Sequence, residues 1–309
     1  MFDGKFYWWF GVVEERDDST ALDGLKLGRC RVRVMGIHSP KRQEDNDNGE
    51  GIPTDMLHWA YPLMPINSAS MNGIGSSPTG ILKGTNVFGF SRDGAMFQDL
   101  VIAGTYGGVA KTKPKFLVDG FCDPDGVYPK DEFIGESDVN RLARNENIDN
   151  TIVADKKATR LTEVPIALGG TWDQPLNPYA AVYPLNSVHE SESGHIQEVD
   201  DTPGAERTHR YNKSGTFEEI DKDGTQVEKI VKDNYQIILG ADYISVGGNC
   251  NIFVGGDSSV FVGGNATLDI KGNMTNQVAG NVSWNVTGTY TINAGGNYGV
   301  TSPRIGLND

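Results

Sequence analysis

At 309 residues the chain has room for one large or two to three small domains, and its 39 glycines with 9% aromatic residues predict a turn-rich β protein over a helical one. A formal charge of −14 disfavours phosphate backbones and anionic lipid surfaces, so no nucleic-acid partner is expected. The three cysteines, Cys30, Cys122 and Cys250, lack zinc spacing and are odd in number for a disulfide framework, which predicts idle thiols in a reducing compartment. No basic segment precedes the apolar run at 6–13, as a secretory signal would require, and no stretch reaches the roughly 18 apolar residues of a membrane-spanning helix.

Residues 1–110 alternate short β-type stretches with glycine-bearing turns. A first strand is expected at 7–13. In 29–36, Cys30, Val32 and Val34 share one face and Arg29, Arg31 and Arg33 the other, the period of two of a half-buried strand. Residues 88–90 and 100–105 supply two more strands, 43–51 read as an acidic loop, and 68–80 are too rich in Gly, Ser and Pro for an element interior. A small closed β barrel is the economical fold.

From 111 to 193 the periodicity fails. Pro114, Pro124, Pro129, Pro165, Pro175, Pro178 and Pro184 interrupt the segment and no amphipathic helix longer than 137–147 can be drawn, so an extended connector is expected. Asp123-Pro124-Asp125-Gly126 is similar to the opening of a calcium loop but lacks the later aspartate and glutamate, and a turn is expected there. Residues 194–235 carry strand candidates at 195–199, 207–211, 216–220 and 226–231. They are separated by turns with glycine where positive φ is needed, which predicts an antiparallel β collar.

In 236–309 a glycine recurs every eight residues, at Gly240, Gly248, Gly256, Gly264, Gly272, Gly280, Gly288 and Gly296, and the next residue is Asn or Asp in six cases. Each octad therefore opens on a corner. Four residues on come Ile244, Ile252, Val260, Leu268, Asn276, Trp284, Ile292 and Val300; six on come Val246, Val254, Val262, Ile270, Val278, Val286, Ala294 and Ser302. Fourteen of these sixteen are apolar, whereas positions three and five after the glycines are mostly polar, so one face is expected to be buried and the other wet. Eight extended residues cover only about 26 Å, too little to close one coil of a single-chain solenoid. Three chains supply three sides, so the expected core of a trimeric prism is Ile244, Val246, Ile252, Val254, Val260, Val262, Leu268, Ile270, Val278, Trp284, Val286 and Ile292. The competing calcium solenoid has a period of nine and a fixed aspartate, and disorder would lack the regular Val and Ile.

These segments resemble the central spike proteins of contractile-tailed bacteriophages, which are related to the VgrG spikes of type VI secretion. Leu57-His58-Trp59-Ala60-Tyr61-Pro62, Gly73-Ile74-Gly75-Ser76-Ser77-Pro78 and Phe90-Ser91-Arg92-Asp93-Gly94 look like that family's N-terminal OB-fold barrel. Glu192-Ser193-Gly194-His195 and Asp200-Asp201-Thr202-Pro203-Gly204-Ala205-Glu206-Arg207 look like its pre-needle collar, and the octads look like its triple-stranded intertwined β-helix.

The resemblance implies an all-β protein: an OB-fold barrel at 1–110, an extended connector at 111–193, a collar at 194–235 and a β-helix at 236–309. It implies a homotrimeric, structural spike in the virion tail baseplate, assembled in the host cytoplasm, that pierces the host outer membrane. Its implied partners are a ring-shaped baseplate hub protein at the tail-tube end and a PAAR-type tip protein; no nucleic acid and no cofactor is implied. The best-known members insert a lysozyme domain between barrel and needle, and the connector is too short for it. Glu132, Glu136 and Asp138 read as solvated loop carboxylates, not a glycosidase pair, and no enzymatic activity is expected. The five histidines show no ligand spacing, and residues 303–309 offer none at the tip. The alternatives are a tail lysozyme and a type VI secretion spike, whose hub domains usually precede the barrel on the same chain.

Overall fold

The computed structural model describes residues 6–42 and 51–306. Residues 1–5, most of the acidic loop expected at 43–51, and the last three residues of the chain lie outside the described residues. The chain divides into two compact units, Met1–Phe253 and Val254–Asp309.

Five strands close into a barrel in the order β1-β2-β3-β5-β4. They are β1 (Tyr7–Glu15), β2 (Cys30–Val34), β3 (Trp59–Pro62), β4 (Asn86–Ser91) and β5 (Leu100–Thr105). Every junction is antiparallel except β3 with β5, which run parallel from Ala60↔Leu100 to Pro62↔Ile102. The resulting five-stranded closed barrel is the OB-type fold expected. Alternate residues point inward, so Trp9, Val13, Val32, Val34, Val87, Leu100 and Ile102 fill the interior. At Gly89, beside a bulge in β4, a Cβ would stand 1.8 Å from the Val101 carbonyl oxygen and 2.7 Å from the Trp9 ring, so only glycine lets β4 and β5 approach there. β3 escapes the period-two reading because it is four residues long and ends on Pro62.

The arginine face of β2 is not wet. Arg33 is fully buried, because residues 39–42, 52–54 and 119–123 fold over it. Its Nε and Nη2 meet the two Glu14 carboxylate oxygens at 2.5 and 3.1 Å, and it donates to the carbonyls of Ser39 and Ile52. Glu14 also accepts from Thr54 Oγ1 and Phe121 N, both at 2.9 Å. The pair is thus satisfied on every side, which is what makes a buried ion pair tolerable.

The connector is mainly irregular, as its prolines imply, and it carries two short helices. Asn140 caps α1 (Arg141–Arg144) through Leu142 N, and Asn145 at φ 51 ends it, so this helix stays well inside 137–147, the longest stretch in which one could be drawn. Thr151 caps α2 (Ile152–Ala158), a helix too short for periodicity to reveal. A two-residue pair, β6 (Val164–Pro165) and β7 (Thr171–Trp172), follows.

The collar is a five-stranded antiparallel meander in chain order: β8 (Asn186–Glu190), β9 (Ile196–Asp200), β10 (Arg207–Tyr211), β11 (Phe217–Ile220) and β12 (Gln226–Lys229). Gly204, Gly215 and Gly224 take φ of 79, 94 and 80 in the three turns where positive φ is expected. Ile196, Tyr211 and Phe217 pack with Leu142 of α1, and Ile152, Val153, Tyr179, Val188 and Val227 border the cluster. The connector helices therefore close the inner face of the sheet.

Beyond β12 no residue is in a strand among the described residues. The backbone runs extended with a two-residue bend at 231–232, 239–240, 247–248 and every eighth residue thereafter to 295–296.

Candidate functional site

The bends place all eight octad corners, Gly240, Gly248, Gly256, Gly264, Gly272, Gly280, Gly288 and Gly296, at the second residue of a bend pair. The bend at 231–232 adds a ninth step, which Lys232 in place of glycine conceals; Asp233 after it and Ile238 six on were the available signals. Exposure follows the same register. In the six-after row Ile238, Val246, Val254, Val262, Ile270, Val278 and Val286 are all 44–54% exposed, and in the four-after row Ile244, Ile252, Val260, Leu268 and Trp284 are 73–86% exposed. Ile292 also stands exposed. Within one chain none of these residues is gathered into a core, and apolar side chains this large and this ordered far exceed the scatter on an ordinary soluble surface.

The corner glycines are equally telling. None has the left-handed φ that favours glycine, and a Cβ at any of the eight would meet nothing within 4 Å. Neither conformation nor space within one chain demands the residue.

A second apolar surface lies outside the barrel, where Phe6, Trp8 and Phe10 stand exposed in and beside β1. Phe90 lies 5.2 Å from Phe6 and 6.1 Å from Trp8, Phe88 is 6.3 Å from both Trp8 and Phe10, and Tyr106 is 5.7 Å from Phe10. Period two does not single out this stripe, because residues 6–13 are apolar on both faces.

Under the collar, a buried cluster of charges lies beside the apolar one. Arg207 reaches Glu219 at 3.0 Å and also pairs with Glu198; Lys156 from α2 meets Glu219 at 2.6 Å, and His209 Nδ1 meets Glu198 at 3.0 Å. The Arg207 guanidinium lies 5.1 Å over the Tyr179 ring. Burial works to raise the Glu198 carboxyl, but the His209 bond and Arg207 outweigh it and hold it at about 2. Burial pushes His209 below the usual histidine range despite the opposing Glu198 bond, and its Nε2 has no hydrogen-bond partner among the described residues.

The connector carboxylates have structural ties. Glu136 is not solvated: the Arg141 fork binds both its oxygens at 2.9 and 2.8 Å, Arg144 adds a bond at 2.8 Å, and these hold its carboxyl below the usual range. Asp138 accepts from Gly108 N at 2.6 Å, and Glu132 is exposed. Asp123 accepts from the backbone N–H groups of Asp125, Val127 and Tyr128, the expected turn.

The family model of the Gp5 N-terminal OB domain matches residues 36–207, more than half of the chain. The chain belongs to the Gp5 OB-domain family. The match begins just after β2 and ends at the first residue of β10, so β1 and β2, which close the barrel of this Gp5-family chain, precede it. "Protein Gp5" of Vibrio phage KVP40 (isolate Vibrio parahaemolyticus/Japan/Matsuzaki/1991) is 42% identical over 274 residues, which covers 80% of this chain and 63% of that protein. The "Pre-baseplate central spike protein Gp5" of Enterobacteria phage T4 is 38% identical over 176 residues, or 53% of this chain and 29% of that protein. The chain therefore spans less than two thirds of the length of either relative.

Proposed function

We propose that this Gp5-family chain is a structural central spike of a phage tail baseplate, works as a homotrimer, and transmits tail contraction to the host envelope. The observation that carries this reading is the pair of exposed apolar rows stepping every eight residues along a backbone bent at the same interval. One chain offers one side per octad, and eight extended residues span about 26 Å. Three copies could turn both rows onto a shared axis, and burying each Ile, Val or Leu contributes about 1.5–3 kcal/mol. The corner glycines fit the same picture, because their need would arise where a neighbouring copy's backbone passes close.

The core is then Ile244, Val246, Ile252, Val254, Val260, Val262, Leu268, Ile270, Val278, Trp284, Val286 and Ile292. Rigidity follows from closure, since a continuously paired prism leaves no strand edge free to yield alone. The relative named as a pre-baseplate central spike protein supports a place in the virion tail; assembly would take place in the host cytoplasm. The barrel's aromatic stripe is the surface on which a ring-shaped hub protein would dock, and a PAAR-type protein would cap the far end before brief contact with the outer membrane. The role is mechanical. A glycosidase acid needs a raised pKa, whereas Glu136 is held down by two arginines. Purified chain is accordingly expected to leave peptidoglycan suspensions turbid, and clearing would restore the lysozyme alternative.

Light scattering on the full chain tests the assembly. Three copies of 33.5 kDa give about 100 kDa, and Val262→Asp is expected to shift the mass to that of one copy. A native chain that elutes as a monomer refutes the reading.

A further inference from the structure

The octad steps are so alike that they cannot by themselves say which step of one copy faces which step of another. From Ile238 to Val286 the six-after row is an unbroken run of Ile and Val at nearly constant exposure. In the four-after row Ile244, Ile252, Val260, Leu268, Ile292 and Val300 are likewise interchangeable aliphatics. Two consecutive steps break the pattern: Asn276 brings a carboxamide and Trp284 the bulkiest side chain.

We propose that Asn276 and Trp284 set the register of three copies of this chain, as a polar layer followed by a wide layer on the shared axis. The inference rests on the trimeric prism proposed above. In register, three Asn276 carboxamides meet, and each can donate an N–H to its neighbour's oxygen in a closed ring. Three Trp284 then occupy a single layer. When one copy loops out eight residues above this point, the apolar rows refill with equivalent Ile and Val. Its Asn276, however, now faces Leu268 of the other copies with the carboxamide unpaired, and its Trp284 enters the Asn276 layer, which is sized for smaller side chains. Aliphatic rows forgive a slip of one whole repeat, and a single buried amide does not, as in coiled coils where one Asn fixes alignment. The collar cannot do this alone. β12 ends at Lys229, two residues before the first bend, so it anchors only the upper end, and a loop-out further along leaves it undisturbed.

The test uses the full chain with Cys250→Ser, which removes the exposed thiol, and Asn293→Cys on the wet side beyond both residues. Cys30 and Cys122 are buried, with thiols pushed up to about 12 and about 11, and stay unlabelled. Nitroxides at position 293 are read by pulsed dipolar spectroscopy. One inter-label distance is expected with Asn276 and Trp284 in place. A second, longer population is expected when Asn276→Val and Trp284→Ile are combined, with the assembly mass unchanged. A single distance in the double variant, or several with the native pair, overturns the register assignment and leaves the trimer standing. A one-copy mass overturns the trimer itself and the assignment with it.

Discussion

Arg33 and Glu14 are held out of solvent by groups from three separate stretches of chain, the Ser39 and Ile52 carbonyls, the Thr54 hydroxyl and the Phe121 amide. The pair thus fastens the start of the connector to the barrel. Gly120 shows how closely it is wrapped, since a Cβ there would lie 2.4 Å from Arg33 Nε. Arg33→Ala strands a buried carboxylate and is expected to cost about 3–5 kcal/mol in urea unfolding of the full chain. Replacing both partners, Glu14→Leu with Arg33→Met, is expected to recover most of that loss, because no charge is then left without a counterion. Equal losses in the single and double variants would show that the covering segments, and not the charge, supply the stability.

At the scale of elements, α2 and the collar meet through charge as well as apolar packing, and the charges make the contact sensitive to acid. His209 meets Glu198 from β9 and feels Glu219 from β11 and Lys156 from α2, in a cluster where Arg207 on β10 pairs with Glu198, Asp200 and Glu219. Its folded pKa lies below the unfolded value, so between the two only the unfolded chain takes up the proton, and stability falls as pH drops below about 6.5. Glu198, at about 2 against 4.5, contributes stability that is complete above about pH 4.5 and is lost as pH falls towards 2. Melting midpoints measured across this range should show both limbs. His209→Gln should flatten the upper limb and keep the lower, and an unchanged upper limb would remove His209 from the account. Three of the four strands expected in the collar lie within a residue of their expected bounds, and the fourth, β12, stops two residues short, because the turn glycines punctuate the chain. β8 was missed because Ser187, His189 and Glu190 carry no apolar alternation, and the ion cluster was missed because charges on an inward face look like charges on a wet one.

For the whole molecule, the barrel and the octads were legible to different depths. Barrel strands follow from a local period of two, so β1, β2, β4 and β5 could be read from their own residues. Closure depends on the parallel junction of β3 with β5, which no local pattern announces. The octad rows are fully legible as a pattern, yet in the proposed assembly their burial would involve other copies of the chain and cannot be read from one. Gly264 separates the two levels. With open space around it and no left-handed φ, Gly264→Ala should leave single-chain folding unchanged. It should cost the proposed assembly about 1–3 kcal/mol per copy if a neighbouring backbone passes there. Thermal unfolding followed by light scattering reads both, and an assembly indifferent to the added methyl group would argue against close approach at the corners.

The constant interval between bends makes the proposed spike a ruler. Removing eight residues takes away one graduation and leaves both rows in phase, whereas removing seven turns every later Val and Ile to the opposite side. In the proposed trimer, reach would therefore lengthen or shorten in whole steps without redesign of the cross-section, so long as the marked steps at 276 and 284 are kept.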